Sequence, residues 1–149
     1  MGVLRLLLEA GKTYPSFTDI VLCNAVKYGR IDLVDALLHD PRADSNLFCD
    51  LPWIAASNRQ PEMLKRLLLD DRIEKRNLGR DFLRSCTKGL ASIVSVYLEY
   101  SGINPDYEND NCMISAANKG REGVVELLLR YRRTNPGANH NCALIVACT

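Results

Sequence analysis

One short pattern recurs along this chain: a helix-stop residue, a polar first turn, an apolar pair and then a run of leucines. The clearest copy is Gly120-Arg121-Glu122-Gly123-Val124-Val125-Glu126-Leu127-Leu128-Leu129. Related copies run from Gly29 to Leu38, Arg59 to Leu68 and Gly89 to Leu98, and a half-copy runs from Val3 to Leu8. The second residues of the apolar pairs, Leu4, Val34, Leu64, Val94 and Val125, are spaced by 30, 30, 30 and 31 residues. A fixed period of this size implies units that cannot bury their apolar faces alone and must stack on their neighbours. The expectation is therefore all-α: an α-solenoid of stacked antiparallel helix pairs joined by extended loops. Such a stack offers a surface more readily than a catalytic pocket.

Within each period the signals divide into two helices. In the second helix, apolar residues such as Val3, Leu4, Leu7 and Leu8 follow the 3.6-residue spacing of a buried helical face. Asp32, Pro61-Glu62 and Glu122 suit its first turn, where a proline loses no hydrogen bond and a carboxylate faces the positive end of the helix dipole. Leu8, Leu38, Leu68, Leu98 and Leu129 are expected to stack from unit to unit. In the first helix, a small residue recurs four before the stop, at Ala25, Ala55, Ser85, Ala116 and Ala147, where two helices approach closely. Gly29, Gly89 and Gly120 supply a left-handed turn between the helices. Arg59 stands at that place in the third unit, and a positive φ there would cost it roughly 1 kcal/mol. A shifted turn absorbed by Asn58 is expected instead. Pro15, Pro105 and Pro136 push their preceding residues out of helix, so the stretch Thr13–Asp19 and its counterparts read as loops.

The predicted organisation is a single repeat domain over 1–149. It has a half repeat at 1–18, whole repeats at about 19–48, 49–78, 79–109 and 110–140, and a half repeat at 141–149. Neither end carries the polar capping unit that solenoids normally place there.

Composition excludes several alternatives. Net charge is +1, which favours neither nucleic acid nor an anionic membrane. No apolar run is long enough to span a bilayer, and the opening residues do not read as a secretory signal. The six cysteines include no C-x-x-C pair, and Cys23, Cys86 and Cys148 fall inside first helices, where thiols pack as small apolar groups. Packed thiols suit a reducing compartment.

Helix, stop glycine, apolar pair, leucine run and polar-proline turn together resemble the ankyrin repeat family over essentially the whole chain. Gly120 to Leu129 is similar to the family's Gly-His-x-Glu-Val-Val-x-Leu-Leu-Leu. Asp40-Pro41-Arg42-Ala43-Asp44 resembles the Asp-Pro-Arg-x-Asp link of a shorter variant of roughly 30 residues, against about 33 in the common form. The family's Thr-Pro-Leu-His opening is missing, and Trp53 stands where the histidine would be. It reads as packing between repeats.

The resemblance implies an ankyrin-type fold and a protein-protein interaction scaffold or adaptor, without chemistry, cofactor or metal of its own, acting through a concave face and loop tips. Carried over position by position, the partner-binding residues on the first helices are Lys27 and Tyr28, Ser57 and Asn58, Thr87 and Lys88, and Asn118 and Lys119. The loop candidates are Phe17, Asp19, Asn46, Leu47, Arg76, Asn77, Tyr107 and Glu108, with Asn139 and Asn141 in the last unit. Tyr28 and Tyr107 are the anchors, because tyrosine dominates interface energetics.

Nothing in the residues themselves favours catalysis. His39 and His140 lie near no nucleophile at a base-like spacing, and Gly120-Arg121-Glu122-Gly123 lacks the Lys-Ser/Thr of a phosphate loop. Asp70-Asp71 and Asp106/Glu108/Asp110 lack calcium-loop spacing and read as solvated charge. The basic stretch Lys65-Arg66, Arg72, Lys75-Arg76, Arg80 and Arg84 is interleaved with Asp70, Asp71, Glu74 and Asp81. The expectation is a non-enzymatic protein that binds a protein partner in the cytoplasm or nucleus, with no role for nucleic acid or membrane. The alternative is a structural or self-associating segment of a larger array, whose uncapped ends stack on further repeats.

Overall fold

The computed structural model describes residues 2, 6, 9, 15–39, 50–73, 77–100 and 105–134. Among them are eight helices and no strand: α1 Pro15–Lys27, α2 Ile31–Leu38, α3 Leu51–Ser57, α4 Pro61–Leu68, α5 Leu78–Lys88, α6 Ala91–Glu99, α7 Pro105–Asn118 and α8 Glu122–Thr134. Residues 2, 6 and 9 are helical as well. The chain divides into two compact units, Met1–Glu74 and Lys75–Thr149. The first holds α1 to α4 and the second α5 to α8.

Every pair is joined by the same turn. After α1, the Gly29 N–H donates to the Val26 carbonyl at 3.2 Å and the Arg30 N–H to the Ala25 carbonyl at 2.8 Å. The same two bonds recur at Arg59/Gln60, Gly89/Leu90 and Gly120/Arg121. This crossed pair of bonds satisfies carbonyls left over at a helix end and needs a left-handed residue. Gly29, Gly89 and Gly120 supply it with φ of 68°, 75° and 63°.

Arg59 adopts it too, at φ 57°, while Asn58 keeps φ −97°. The turn is therefore not shifted as the sequence suggested. Two backbone hydrogen bonds at 3.1 and 3.0 Å, Arg59 to Ala56 and Gln60 to Ala55, hold the arginine in place. Their loss would cost more than the roughly 1–2 kcal/mol of the left-handed conformation.

The small residue four before each stop accepts one of these bonds and is buried in all four turns, at Ala25, Ala55, Ser85 and Ala116. Ser85 substitutes for alanine because its hydroxyl donates to the Asp81 carbonyl at 2.7 Å and leaves no unpaired donor inside.

In the first unit α1 packs on α2, α3 on α4, and α1 on α3. The core there is built from Leu22, Val26, Val34, Leu37, Leu51, Met63, Leu64 and Leu67. In the second unit α5 packs on α6, α7 on α8, α5 on α7 and α6 on α8, around Phe82, Ile93, Val94, Tyr97, Met113, Val124 and Leu128.

The leucine stack holds at Leu38 and Leu68, which are buried, but Leu98 and Leu129 are only half-buried. The position one residue earlier is buried in all four second helices, at Leu37, Leu67, Tyr97 and Leu128. The Tyr97 ring meets Phe82 edge-on, with centroids 5.9 Å apart. Leu8 lies outside the described residues.

The prolines correct a second expectation. Pro15 and Pro105 open α1 and α7 rather than sitting in loops. Proline does exclude helix from the residue before it, but its own fixed φ suits the first helical position, so the helix starts there. Phe17, Asp19, Tyr107 and Glu108 thus lie on helices, and the predicted loops are shorter than the sequence suggested.

A candidate interaction surface at the helix ends

The residues singled out before each stop fall at the C-terminal ends of α1, α3, α5 and α7. Within each unit two such ends lie side by side, because the residue after one stop packs over the stop glycine of the pair before it. A Cβ placed on Gly29 would lie 2.5 Å from Oε1 of Gln60, and one on Gly89 would lie 2.7 Å from Cδ of Arg121. Arg121 also donates from Nε to the Thr87 carbonyl at 3.3 Å. Glycine is required at these two positions for its φ, and any larger residue would also have to displace the Gln60 or Arg121 side chain. Gln60 and Arg121 were not among the predicted site residues; their place one after the stop is the only signal that marks them.

In the first unit this brings Lys27 and Tyr28 beside Ser57 and Asn58. Tyr28 is 66% exposed, and the Lys27 ammonium lies 5.5 Å from its ring centroid, close enough for a cation–π contact. Ser57 and Asn58 turn inward. The Ser57 hydroxyl donates to the Ile54 carbonyl at 3.2 Å and the Asn58 amide donates to the same carbonyl at 2.8 Å. In the second unit Thr87 behaves likewise, donating to Leu83 at 2.9 Å, whereas Lys88, Asn118 and Lys119 are exposed. The outward chemistry is therefore one tyrosine and a recurring lysine. The inward hydroxyls and amide satisfy helix-end carbonyls.

The other candidates are not gathered with these. Asp19 is half-buried eight residues before Lys27 on α1, and Phe17 stands two residues earlier on its backbone. Tyr107 and Glu108 lie near the start of α7, at the opposite end of that helix from Asn118. Asn77 precedes α5 in a helical conformation and makes no capping hydrogen bond. Asn46, Leu47, Arg76, Asn139 and Asn141 lie outside the described residues, as does His140.

Several charges elsewhere are paired. Arg66 meets Asp35 at 2.9 Å, and Arg84 lies 3.9 Å from the buried Asp81. Asp70 is not simply solvated charge. Its carboxylate accepts from the backbone N–H of Arg72 at 3.0 Å and from the guanidinium at 2.8 and 3.0 Å. This guanidinium holds the Asp70 carboxyl down at about 2, below the usual carboxylate range. Arg72 donates in addition to the Leu38 carbonyl, which ties the exit of α4 to the C-terminal end of α2. Trp53 is half-buried on α3.

His39 follows α2 and its Nδ1 lies 2.6 Å from the Asp35 carbonyl, a helix-end arrangement. Among the described residues the thiols of Cys23 and Cys86 are free, and Cys86 and Cys112 are buried. Burial first, and then Asp19 and Asp50, push the Cys23 thiol up, away from the reactive thiolate. Among the described residues no group of three or more His, Cys, Asp or Glu is placed to hold a metal ion, and no helix is long and apolar enough to cross a membrane. Comparison with family models, with curated proteins and with solved structures finds no match.

Proposed function

We propose that this chain is a non-catalytic scaffold of the ankyrin-repeat type that binds a protein partner through the ends of its first helices. One observation carries the reading. A single turn geometry is repeated four times, in each unit it holds two helix ends side by side, and lysine or tyrosine stands exposed at three of the four ends. A device that fixes surface residues in register suits recognition of a partner surface. Under this reading the protein needs neither cofactor nor metal and works in the cytoplasm or nucleus.

The test is capture of a stoichiometric partner from native cells by the whole chain, compared with a Lys88→Ala/Lys119→Ala variant of unchanged helical circular dichroism. Both lysines are exposed, so the fold should be indifferent to the change. Loss of the partner supports the proposal; undiminished capture refutes the assignment of these helix ends.

Self-association is the second reading. It is favoured by one feature that partner binding at the helix ends leaves unused, the exposed Ile20 on α1.

A further inference from the structure

The two turns of the second unit meet through one side chain. Arg121, the residue after the Gly120 stop, crosses Gly89 of the turn before and donates from Nε to the Thr87 carbonyl at 3.3 Å. Its guanidinium is thereby held against the C-terminal end of α5, at the residue that precedes the exposed Lys88. Lys119, two residues before Arg121, is exposed as well. Three cations therefore stand at two adjoining turns.

Contacts within the chain do not use this charge up. Among the described residues neither Arg121 nor Lys119 makes an ion pair, and the bond to Thr87 occupies Nε of Arg121 alone, leaving its two terminal nitrogens as donors. Lys88 has an interaction of its own within the chain and adds its charge rather than an empty donor. Glu122, the carboxylate next in sequence, opens α8, where the helix dipole favours it, and among the described residues it pairs with none of the three. Elsewhere in the unit Arg84 and Arg130 lie 3.9 and 3.6 Å from the carboxylates of Asp81 and Glu126.

The first unit builds the same arrangement from different chemistry. There Gln60 crosses Gly29 in the place of Arg121, Asn58 stands for Lys119 and Tyr28 for Lys88. The Asn58 amide is turned back onto the Ile54 carbonyl. The turn closes equally well with two amides and a phenol, so its geometry does not call for the three positive charges of the second unit.

We propose that these charges receive a carboxylate side chain from an acidic segment of the protein partner, a step that rests on the reading of the helix ends as a partner surface. The terminal nitrogens of Arg121 form a planar fork that matches the two oxygens of a carboxylate, and Lys119 and Lys88 flank it. A guanidinium already oriented by a backbone hydrogen bond has less freedom to lose on binding. A nucleic-acid strand fits less well, because it is held by a track of cations along successive phosphates, and this chain has a net charge of only +1.

A dye-labelled oligoglutamate peptide, titrated against the whole chain at low ionic strength and followed by fluorescence anisotropy, should bind and should lose affinity as salt is added. Arg121→Gln should weaken binding by about tenfold and Lys119→Gln by about threefold. Arg121→Lys, which keeps the charge and loses the fork, should fall between wild type and Arg121→Gln. Arg59→Gly, which removes one cation from a turn of the first unit, should change nothing. All three positions are exposed, so helical circular dichroism should be unaltered. Absence of binding, an equal loss with Arg59→Gly and Arg121→Gln, or tighter binding of a single-stranded oligonucleotide of the same charge would overturn the proposal. A native partner that is lost with Lys88→Ala/Lys119→Ala, beside an oligoglutamate that does not bind, would sink the carboxylate site and leave the scaffold reading. Oligoglutamate bound through Arg121, beside partner capture indifferent to the lysines, would do the reverse.

Discussion

Replacing Arg59 by glycine should stabilise the first unit by about 0.5–1 kcal/mol. The magnitude follows from two opposed terms. A residue with a Cβ loses roughly 1–2 kcal/mol in the left-handed conformation, and Arg59 occupies it at φ 57°. Glycine removes that strain but costs about 0.4–1 kcal/mol through the greater freedom of the unfolded chain. The exposed Arg59 side chain enters none of the ion pairs described above, so little else changes. Both hydrogen bonds of the turn are made by backbone N–H groups, which glycine retains. Urea unfolding followed by circular dichroism reads the effect as a rise in midpoint at constant slope. Asn58→Gly is the discriminating control. Asn58 holds φ −97°, so glycine there should be neutral or destabilising, and it would also delete the Asn58 amide bond to Ile54. A gain at Asn58 with none at Arg59 would mean that the turn is shifted, and would refute the reasoning.

Three further outcomes follow from buried or strained groups. Tyr97 is 1% exposed and its hydroxyl finds no hydrogen-bond partner among the described residues, so Tyr97→Phe should stabilise by about 0.5–2 kcal/mol in thermal or urea unfolding while keeping the edge-on contact with Phe82. Burial, and then the nearby Asp81 carboxylate, push the Tyr97 hydroxyl up. The native state therefore keeps that proton where the unfolded chain, near pH 10, gives it up; stability should fall as pH rises above about 10, and Tyr97→Phe should remove that part of the slope. Asp70 has the opposite sign: its lowered pKa gives stability that is present above the ordinary value of 3.8 and is lost as pH falls through about 2. Asp70→Asn should flatten that acid limb and cost about 1 kcal/mol near neutrality, a figure kept small because Arg72 is exposed to solvent. Gly89→Ala should destabilise by more than the roughly 1 kcal/mol of its φ alone, since the added methyl meets Arg121 at 2.7 Å; Arg121→Ala in the same chain should recover the steric part.

Much of the fold was legible because its signals were local and repeated. The stop glycines, the small residues four before them and the acidic first turns each concern only a few neighbouring residues, and four copies of a weak signal make a strong one. The prolines show the limit of such reading. A proline forbids helix behind it and permits helix ahead of it, so Pro15 and Pro105 could be read as loop or as helix start. The choice was made by α1 and α7 finding α3 and α5 to pack on. Tyr97 shows another limit: it stands in the register of the buried Leu37, Leu67 and Leu128, but its edge-on contact with Phe82 is a meeting in space that register does not give.

The candidate surface was less legible, for a physical reason. Sequence position identifies which residues stand at a helix end, but not which way their side chains turn. Ser57, Asn58 and Thr87 were placed with Lys27 and Tyr28 by register, yet short hydroxyl and amide side chains reach the carbonyls one turn back and are spent there. Lysine and tyrosine are too long for that bond and project outward, toward solvent or a partner. The same contrast applies to Ile20. Ile20 and Tyr28 are 60% and 66% exposed, while Leu22, Ala25 and Val26 between them are buried, a division set by where α2 and α3 pack and not by residue type.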